Sequence, residues 1–393
     1  MQDFVYHVPT KVYFGKKAEE KTGAVLAEDG YRRVMLLYGG GSVVRSGLLD
    51  RIKNSLRENG ITWCELGGVE PNPKIDLVRK GAAMYRQEKA DFLLAVGGGS
   101  VIDTGKSICM SVANDMDAWY MIQNAIVPQK MLPMGSVLTI AAAGSEMSWS
   151  HVISNPASND KCSLNHGILR PKYAFMNPEN TFSVSAFQTA CGVIDMMMHT
   201  MERYLTAETD SDLMDRISEG LLISVRDAGR IAVKEPENYE ARSTLMWAGS
   251  LAHNGVTGCG KVTAYWAAHK IDQYLAGFYD HVAHGAGLSV LYPAWAKYVA
   301  PHDPRKFALL ATRVWDVPYA GDDLLGTAMQ GIQAFEDYCV ELGMPIRMGQ
   351  LEVPAESYER IALACTKNGT VPMKSLVDLD KDAIVKIFNL ATY

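Results

Sequence analysis

The 393-residue sequence predicts an α/β fold, a parallel sheet covered by helices, over residues 1–184, and an all-helical second half over residues 185–393. Three observations carry this expectation. Short, nearly continuous apolar runs at 33–38 and 91–96 alternate with amphipathic segments, as strands buried on both faces do. From about Ser185 onward strand signals nearly vanish and apolar residues recur at helical spacing. A turn-rich join from Asn177-Pro178 to Ser185 separates the two textures.

In chain order, residues 11–14 read as a strand closed by Gly15, and 33–38 as a buried strand ending in Gly39-Gly40-Gly41-Ser42. A helix is expected at 47–58, a strand at 61–65 and a helix at 75–88. The clearest strand is 91–96, followed by Gly97-Gly98-Gly99-Ser100 and a helix. Shorter, polar-interrupted strands follow at 137–140, 152–154 and 173–176. Helices are expected thereafter at 186–205, 210–233, 239–254, 262–276, 322–342 and 380–390.

Composition narrows the function classes. Hydrophobic content of 48% and charged content of 21% are ordinary for a soluble enzyme. A net charge of −6 without any basic run argues against nucleic acid as a partner. Seven scattered cysteines, without Cys-x-x-Cys spacing, indicate reduced thiols rather than a disulfide framework. The N-terminus lacks the basic and apolar regions of a signal peptide, and no apolar run is long enough to span a membrane. The expectation is a cytoplasmic protein with no membrane partner.

The glycine clusters point to a cofactor. Glycines let the backbone approach a phosphate closely, and a helix N-terminus adds unpaired amides and partial positive charge. Gly97, Gly98, Gly99 and Ser100, between a strand and a helix, therefore suit a diphosphate; a plain turn would use one or two glycines. The stretch is neither Gly-x-Gly-x-x-Gly nor a P-loop. At the end of the 33–38 strand an acidic residue would take the ribose hydroxyls and select NAD. None stands between Tyr38 and Gly47. Ser42, the local amides of Gly39, Gly40 and Gly41, and Arg45 are available for a 2′-phosphate, which favours NADP(H). The alternative leaves Arg45 a solvated surface charge.

A second constellation suits a metal. Asp195 and His199, four residues apart, share one face of a predicted helix, and the methionines between them offer few other polar partners. Alone, the pair reads as a salt bridge. His269 and His284 lie downstream in apolar surroundings, and one carboxylate with three imidazoles suits Fe(II), Zn(II), Co(II) or Mn(II).

Together these motifs resemble the iron-containing (group III) alcohol dehydrogenase family. The resemblance runs over nearly the whole chain and includes Glu70-Pro71-Asn72-Pro73, Gly144-Ser145-Glu146, Arg170-Pro171-Lys172 and the turn His284-Gly285-Ala286-Gly287. The branch resembled is that of NADPH-dependent butanol dehydrogenases and aldehyde reductases. It implies a Rossmann-like dinucleotide-binding domain and a helical metal-binding domain, in a dehydroquinate synthase-like architecture. It also implies NADP(H), a divalent metal (Fe²⁺ before Zn²⁺), a small alcohol or aldehyde substrate and a homodimer. By motif position Asp195, His199, His269 and His284 would hold the metal and Gly97 to Ser100 the diphosphate. Thr139 and Lys161 would line the cofactor, with Asp103 at its nicotinamide end. The chemistry so implied is hydride transfer at nicotinamide C4, with Lewis-acid help at the substrate oxygen.

The chain departs from the family pattern in places. Where members carry a histidine that passes the alcohol proton outward, this sequence has Gln273, which cannot titrate; His281 or water is left for the role. Ala141 and Ala143 replace a proline and a threonine, Asn177 an acid and Ser185 a proline. Two other readings stay open. A lyase of the dehydroquinate synthase type would need basic residues around the metal, where only Lys270 and Arg203 stand near in sequence. A metal-free binding protein on the same fold is the other, kept open by Gln273.

Overall fold

The computed structural model describes residues 1–158, 160–207, 211–262 and 264–392. Asp210, the expected start of one helix, and Thr263, inside another, lie outside the described residues. The chain forms two compact units. One comprises His7–Val184 and Pro236–Asn254; the other comprises Met1–Tyr6, Ser185–Glu235 and Gly255–Tyr393. The helix Tyr239–His253 thus groups with the sheet, although its neighbours in sequence are helices of the other unit.

The first unit is built on a six-stranded parallel sheet. Its strands are β1 (Lys11–Phe14), β2 (Arg33–Gly39), β3 (Thr62–Val69), β4 (Phe92–Gly97), β5 (Met134–Leu138) and, after a hairpin, β8 (Tyr173–Met176). They lie in the order β1-β8-β5-β4-β2-β3. Every residue of β4 is buried, as expected of a strand covered on both faces. The chain runs outward from β2 to β3, then returns across β2 to β4 and runs outward the other way. The order therefore reverses between β2 and β4, which pair directly through Tyr38 and Val96 near their C-terminal ends. Both glycine clusters leave the sheet at this reversal, where open α/β sheets bind ligands.

The hairpin is β6 (Ser150–Asn155) with β7 (Asp160–Asn165), paired antiparallel outside the main sheet. The polar composition of β7 hid it from periodicity. Beneath the hairpin Lys106 is fully buried and donates from Nζ to the carbonyls of Ser150 (2.7 Å) and Ser148 (3.1 Å). His151, also fully buried, meets Ser107 Oγ through Nδ1 at 2.8 Å. Burial, reinforced by the Lys106 charge, pushes the His151 imidazole down to about 3. The native state therefore holds His151 neutral, whereas the unfolded chain protonates it below about pH 6.5. Stability should fall as pH drops from about 6.5 towards 3, with His151 contributing up to about 1.4 kcal/mol per pH unit. Urea midpoints for wild type and His151→Asn across that range check it; parallel curves would remove His151 as the cause.

Two departures noted in the sequence have local structural reasons. Ser185 accepts the Gln188 N–H at 3.2 Å and so caps the helix Ala186–Tyr204. Asn177 donates from Nδ2 to Glu19 Oε2 at 3.1 Å in a buried site, where an acid would set two carboxylates together.

In the second unit the helices include Ala186–Tyr204, Asp212–Lys234, Ala267–Phe278, His284–Val299, Arg305–Val314, Leu324–Glu341, Tyr358–Cys365 and Lys381–Leu390. His284, read as part of a turn, instead begins a helix that carries Pro293 in its interior. No helix of the described residues is long and apolar enough to cross a membrane.

Candidate metal centre and cofactor loops

The helix Ala186–Tyr204 buries every residue from Thr189 to Tyr204. Asp195 and His199 therefore sit on a helix with no solvated face over that span. Asp195 Oδ1 lies 3.5 Å from His199 Nδ1, 3.6 Å from His269 Nε2 and 3.5 Å from His284 Nε2. The helices Ala267–Phe278 and His284–Val299 bring in the last two rings. A tetrahedral centre with bonds of about 2.1 Å sets its ligands about 3.4 Å apart. The three distances from Asp195 Oδ1 match that spacing and exceed direct N–H···O hydrogen bonds, which run to about 3.2 Å. The donor atoms of Asp195, His199 and His269 also lie within 4.8 Å of one another, a group that does not include His284. The buried atoms Asp195 Oδ1 and His269 Nε2 have no hydrogen-bond partner among the described residues, although they face one another. A cation shared between them would satisfy both atoms. His284 is the most exposed of the four, at 36% of its side chain, so the cluster is closed on the Asp195 side and open beside His284.

Two carboxylates missed in the sequence complete the group. His269 Nδ1 is bound by Glu202 Oε2 and His284 Nδ1 by Asp272 Oδ2. Burial pushes the His269 imidazole down, but Glu202 and Asp195 outweigh it and carry it up to about 9. Trp266 holds a left-handed backbone (φ 58°) and sets its ring edge-on to His199 and His269. Arg203, near the cluster in sequence, stacks 4.5 Å over that ring and donates to the His199 carbonyl. It is thereby directed away from substrate-anion duty.

Gln273 is half-buried on the Ala267–Phe278 helix, whereas His281 is exposed and its Nε2 meets the Leu351 carbonyl at 3.1 Å. Neither belongs to the cluster of converging donor atoms around Asp195.

In the sheet unit, Gly97 ends β4, Gly98 caps the helix Gly99–Asn114 and Ser100 lies in its first turn. A Cβ on Gly97 would lie 2.8 Å from Val101 Cβ, and one on Gly98 3.3 Å from Ile140, so the loop is held tight. The Thr139 N–H donates to the Gly97 carbonyl at 3.2 Å, which lays the 139–143 stretch beside the loop. At the end of β2, Gly39 and Gly40 lead to Gly41 (φ 104°), which precedes a short turn of helix, Ser42–Arg45. The exposed Arg45 guanidinium folds back toward Gly41. Glu65 on the adjacent strand is occupied, accepting from Tyr38 Oη (3.3 Å) and Trp63 Nε1 (3.1 Å) and pairing with Lys53 (2.8 Å).

Asp103 uses both oxygens locally, accepting from Ser145 Oγ at 2.5 Å and from the Val152 N–H at 3.0 Å. Burial pushes its carboxyl up against the pull of Lys106 and these donors. Lys161 on β7 donates to Asn72 Oδ1 at 2.9 Å. Asp103 thus ties the 145 loop and the β6/β7 hairpin to the helix that opens at the glycine loop.

Models of known families match both parts of the chain: "Iron-containing alcohol dehydrogenase" over residues 9–178 and "Fe-containing alcohol dehydrogenase family, C-terminal" over 189–392. The NADH-dependent butanol dehydrogenase A of Clostridium acetobutylicum is 37% identical over 389 residues, covering 99% of each chain. The NADPH-dependent aldehyde reductase YqhD of Escherichia coli is 33% identical over 397 residues, covering 100% of each. The crystal structure of NADH-dependent butanol dehydrogenase A from Thermotoga maritima superposes with a TM-score of 0.95 at 32% identity, over 100% of this chain and 99% of that one. With both halves matched and relatives aligned end to end, the chain belongs to the iron-containing alcohol dehydrogenase family.

Proposed function

We propose that this alcohol dehydrogenase moves a hydride between NADP(H) and a small primary alcohol or aldehyde at a divalent metal held by Asp195, His199, His269 and His284. The observation that carries the metal assignment is the set of three imidazole nitrogens 3.5–3.6 Å from Asp195 Oδ1. Fe(II), or Zn(II) in its place, would supply Lewis acidity toward the substrate oxygen. The protein's own residues do the rest. Asp195 places one carboxylate oxygen within 3.5–3.6 Å of a nitrogen of each of the three imidazole rings. Gly97, Gly98, Gly99 and Ser100 present amides to the diphosphate, and Asp103 holds the neighbouring loop in place through Ser145.

The relatives' names divide between NADH and NADPH. Two features of this chain support NADP(H): no acid follows β2 before Gly47, and Arg45 lies over the glycine turn while Glu65 is occupied by Lys53. Arg45→Ala should raise KM for NADPH by about 10–100-fold, the worth of a charge-assisted hydrogen bond, and leave NADH kinetics unchanged. Equal effects on both cofactors would overturn the assignment. For the alcohol proton, Gln273 holds nothing that titrates, and His281 or solvent takes it. The reading keeps a dimeric, cytoplasmic enzyme, as the family resemblance suggests.

The first experiment is the initial rate of NADPH and NADH oxidation with butanal, on enzyme stripped of metal and reloaded anaerobically with Fe(II) or Zn(II). Metal-dependent turnover favouring NADPH is expected. Undiminished turnover after stripping would sink the metal centre, and a preference for NADH would sink the cofactor choice alone.

A further inference from the structure

We infer that Glu202, Asp272 and Gly287 are positioning residues that fix the tautomer and aim of His269 and His284; the inference rests on the metal-centre reading above. Three helices are braced in sequence. Glu202, on Ala186–Tyr204, crosses to His269 Nδ1, and its Oε1 accepts the Ala268 N–H at 3.0 Å, holding the first turn of Ala267–Phe278. Asp272, on that second helix, crosses in turn to His284 Nδ1 on the third. A carboxylate is only an acceptor, so each ring carries a proton on Nδ1, and Nε2 is the nitrogen left to give its lone pair to a cation. Those are the two nitrogens that face Asp195 Oδ1. Both carboxylates are buried, Asp272 completely, and so have no solvent to turn toward.

Gly287 supplies the space. Asp272 Oδ1 is buried, lacks a hydrogen-bond partner among the described residues and occupies the volume a Cβ on Gly287 would take. The third helix thus approaches Asp272 closely enough for Oδ2 to reach His284 only because residue 287 has no side chain. The spacing of His284 and Gly287, one turn apart, places ring and gap against the same carboxylate.

The test is Co(II) binding to the full-length metal-free chain, read by chelator competition and by the visible d–d band, with circular dichroism as the folding check. Asp272→Asn and Glu202→Gln should each weaken Co(II) binding by about 10–100-fold and alter the band. Gly287→Ala should weaken it similarly in the wild-type background but add little to Asp272→Ala, because the group it displaces is then gone. A purely structural defect at Gly287 would persist in that double variant and would overturn its assigned role. Co(II) affinity and band unchanged in both carboxylate variants, with wild type binding normally, would overturn the inference while leaving the metal centre standing. Failure of the wild type itself to bind would overturn both.

Discussion

Asp195→Asn should yield a folded protein that loses its metal on desalting and whose kcat/KM for aldehyde reduction falls by about 10³-fold or more. The size follows from the several kcal/mol of charge stabilisation a Lewis acid supplies, at 1.36 kcal/mol per tenfold. The substitution is nearly isosteric, so packing within a helix buried from Thr189 to Tyr204 is retained. What goes is the negative charge common to all three imidazole distances. The Asn oxygen is neutral, and its amide would present a donor toward the same rings. Metal content by elemental analysis, beside circular dichroism, separates this from misfolding. Full metal retention with near wild-type turnover would remove Asp195 from the centre.

The second large effect is expected at Gly285. A Cβ there would lie within 2.5 Å of Cys191 Cα, on the helix that carries Asp195 one turn further on. The clash is with backbone, which cannot swing aside as a side-chain tip can. Overpacking of this kind costs about 1–3 kcal/mol, and more where helices must part. At about 2–4 °C per kcal/mol for a unit of this size, Gly285→Ala should lower the melting temperature by roughly 5–10 °C. It should weaken metal retention too, since His284 is the adjacent residue. Gly220→Ala is the control: nothing lies within 4 Å of its Cβ, and a helical alanine should be neutral or slightly stabilising. Equal melting temperatures for the two variants would show that the helices can separate without cost.

Much of the fold was legible because the sheet announces itself. The strands β2 and β4 are apolar runs ended by glycines, and burial on both faces leaves such runs little ambiguity. The polar strand β7 gave no such signal, since Asp160–Asn165 is held by hairpin pairing rather than by core burial. The helix His284–Val299 was read only as a turn at its start because Pro293 and paired glycines break the helical pattern. At the centre, Asp195 and His199 could be read from spacing on one helix. Glu202 and Asp272 were in plain view, each three residues beyond a histidine, yet each binds the ring on a different helix from its own. Sequence spacing reports neighbours along a helix, not partners across one. Trp266 was invisible for a similar reason, since nothing local requires its left-handed backbone.

The helix Tyr239–His253 has a consequence for how this chain is made. Its Ser250 hydroxyl donates to the buried Glu146 carboxylate, and its backbone at Gly249 is pressed against Gly144. Glu146 therefore waits for a partner 104 positions later in the chain. On the ribosome the sheet unit cannot complete itself when Val184 emerges; it must stand with an acidic group and a bare surface until residue 254 follows. A fragment cut at 184 would freeze that unfinished state, so an excised cofactor half has to carry 236–254 with it, joined in trans or by a shortened connection.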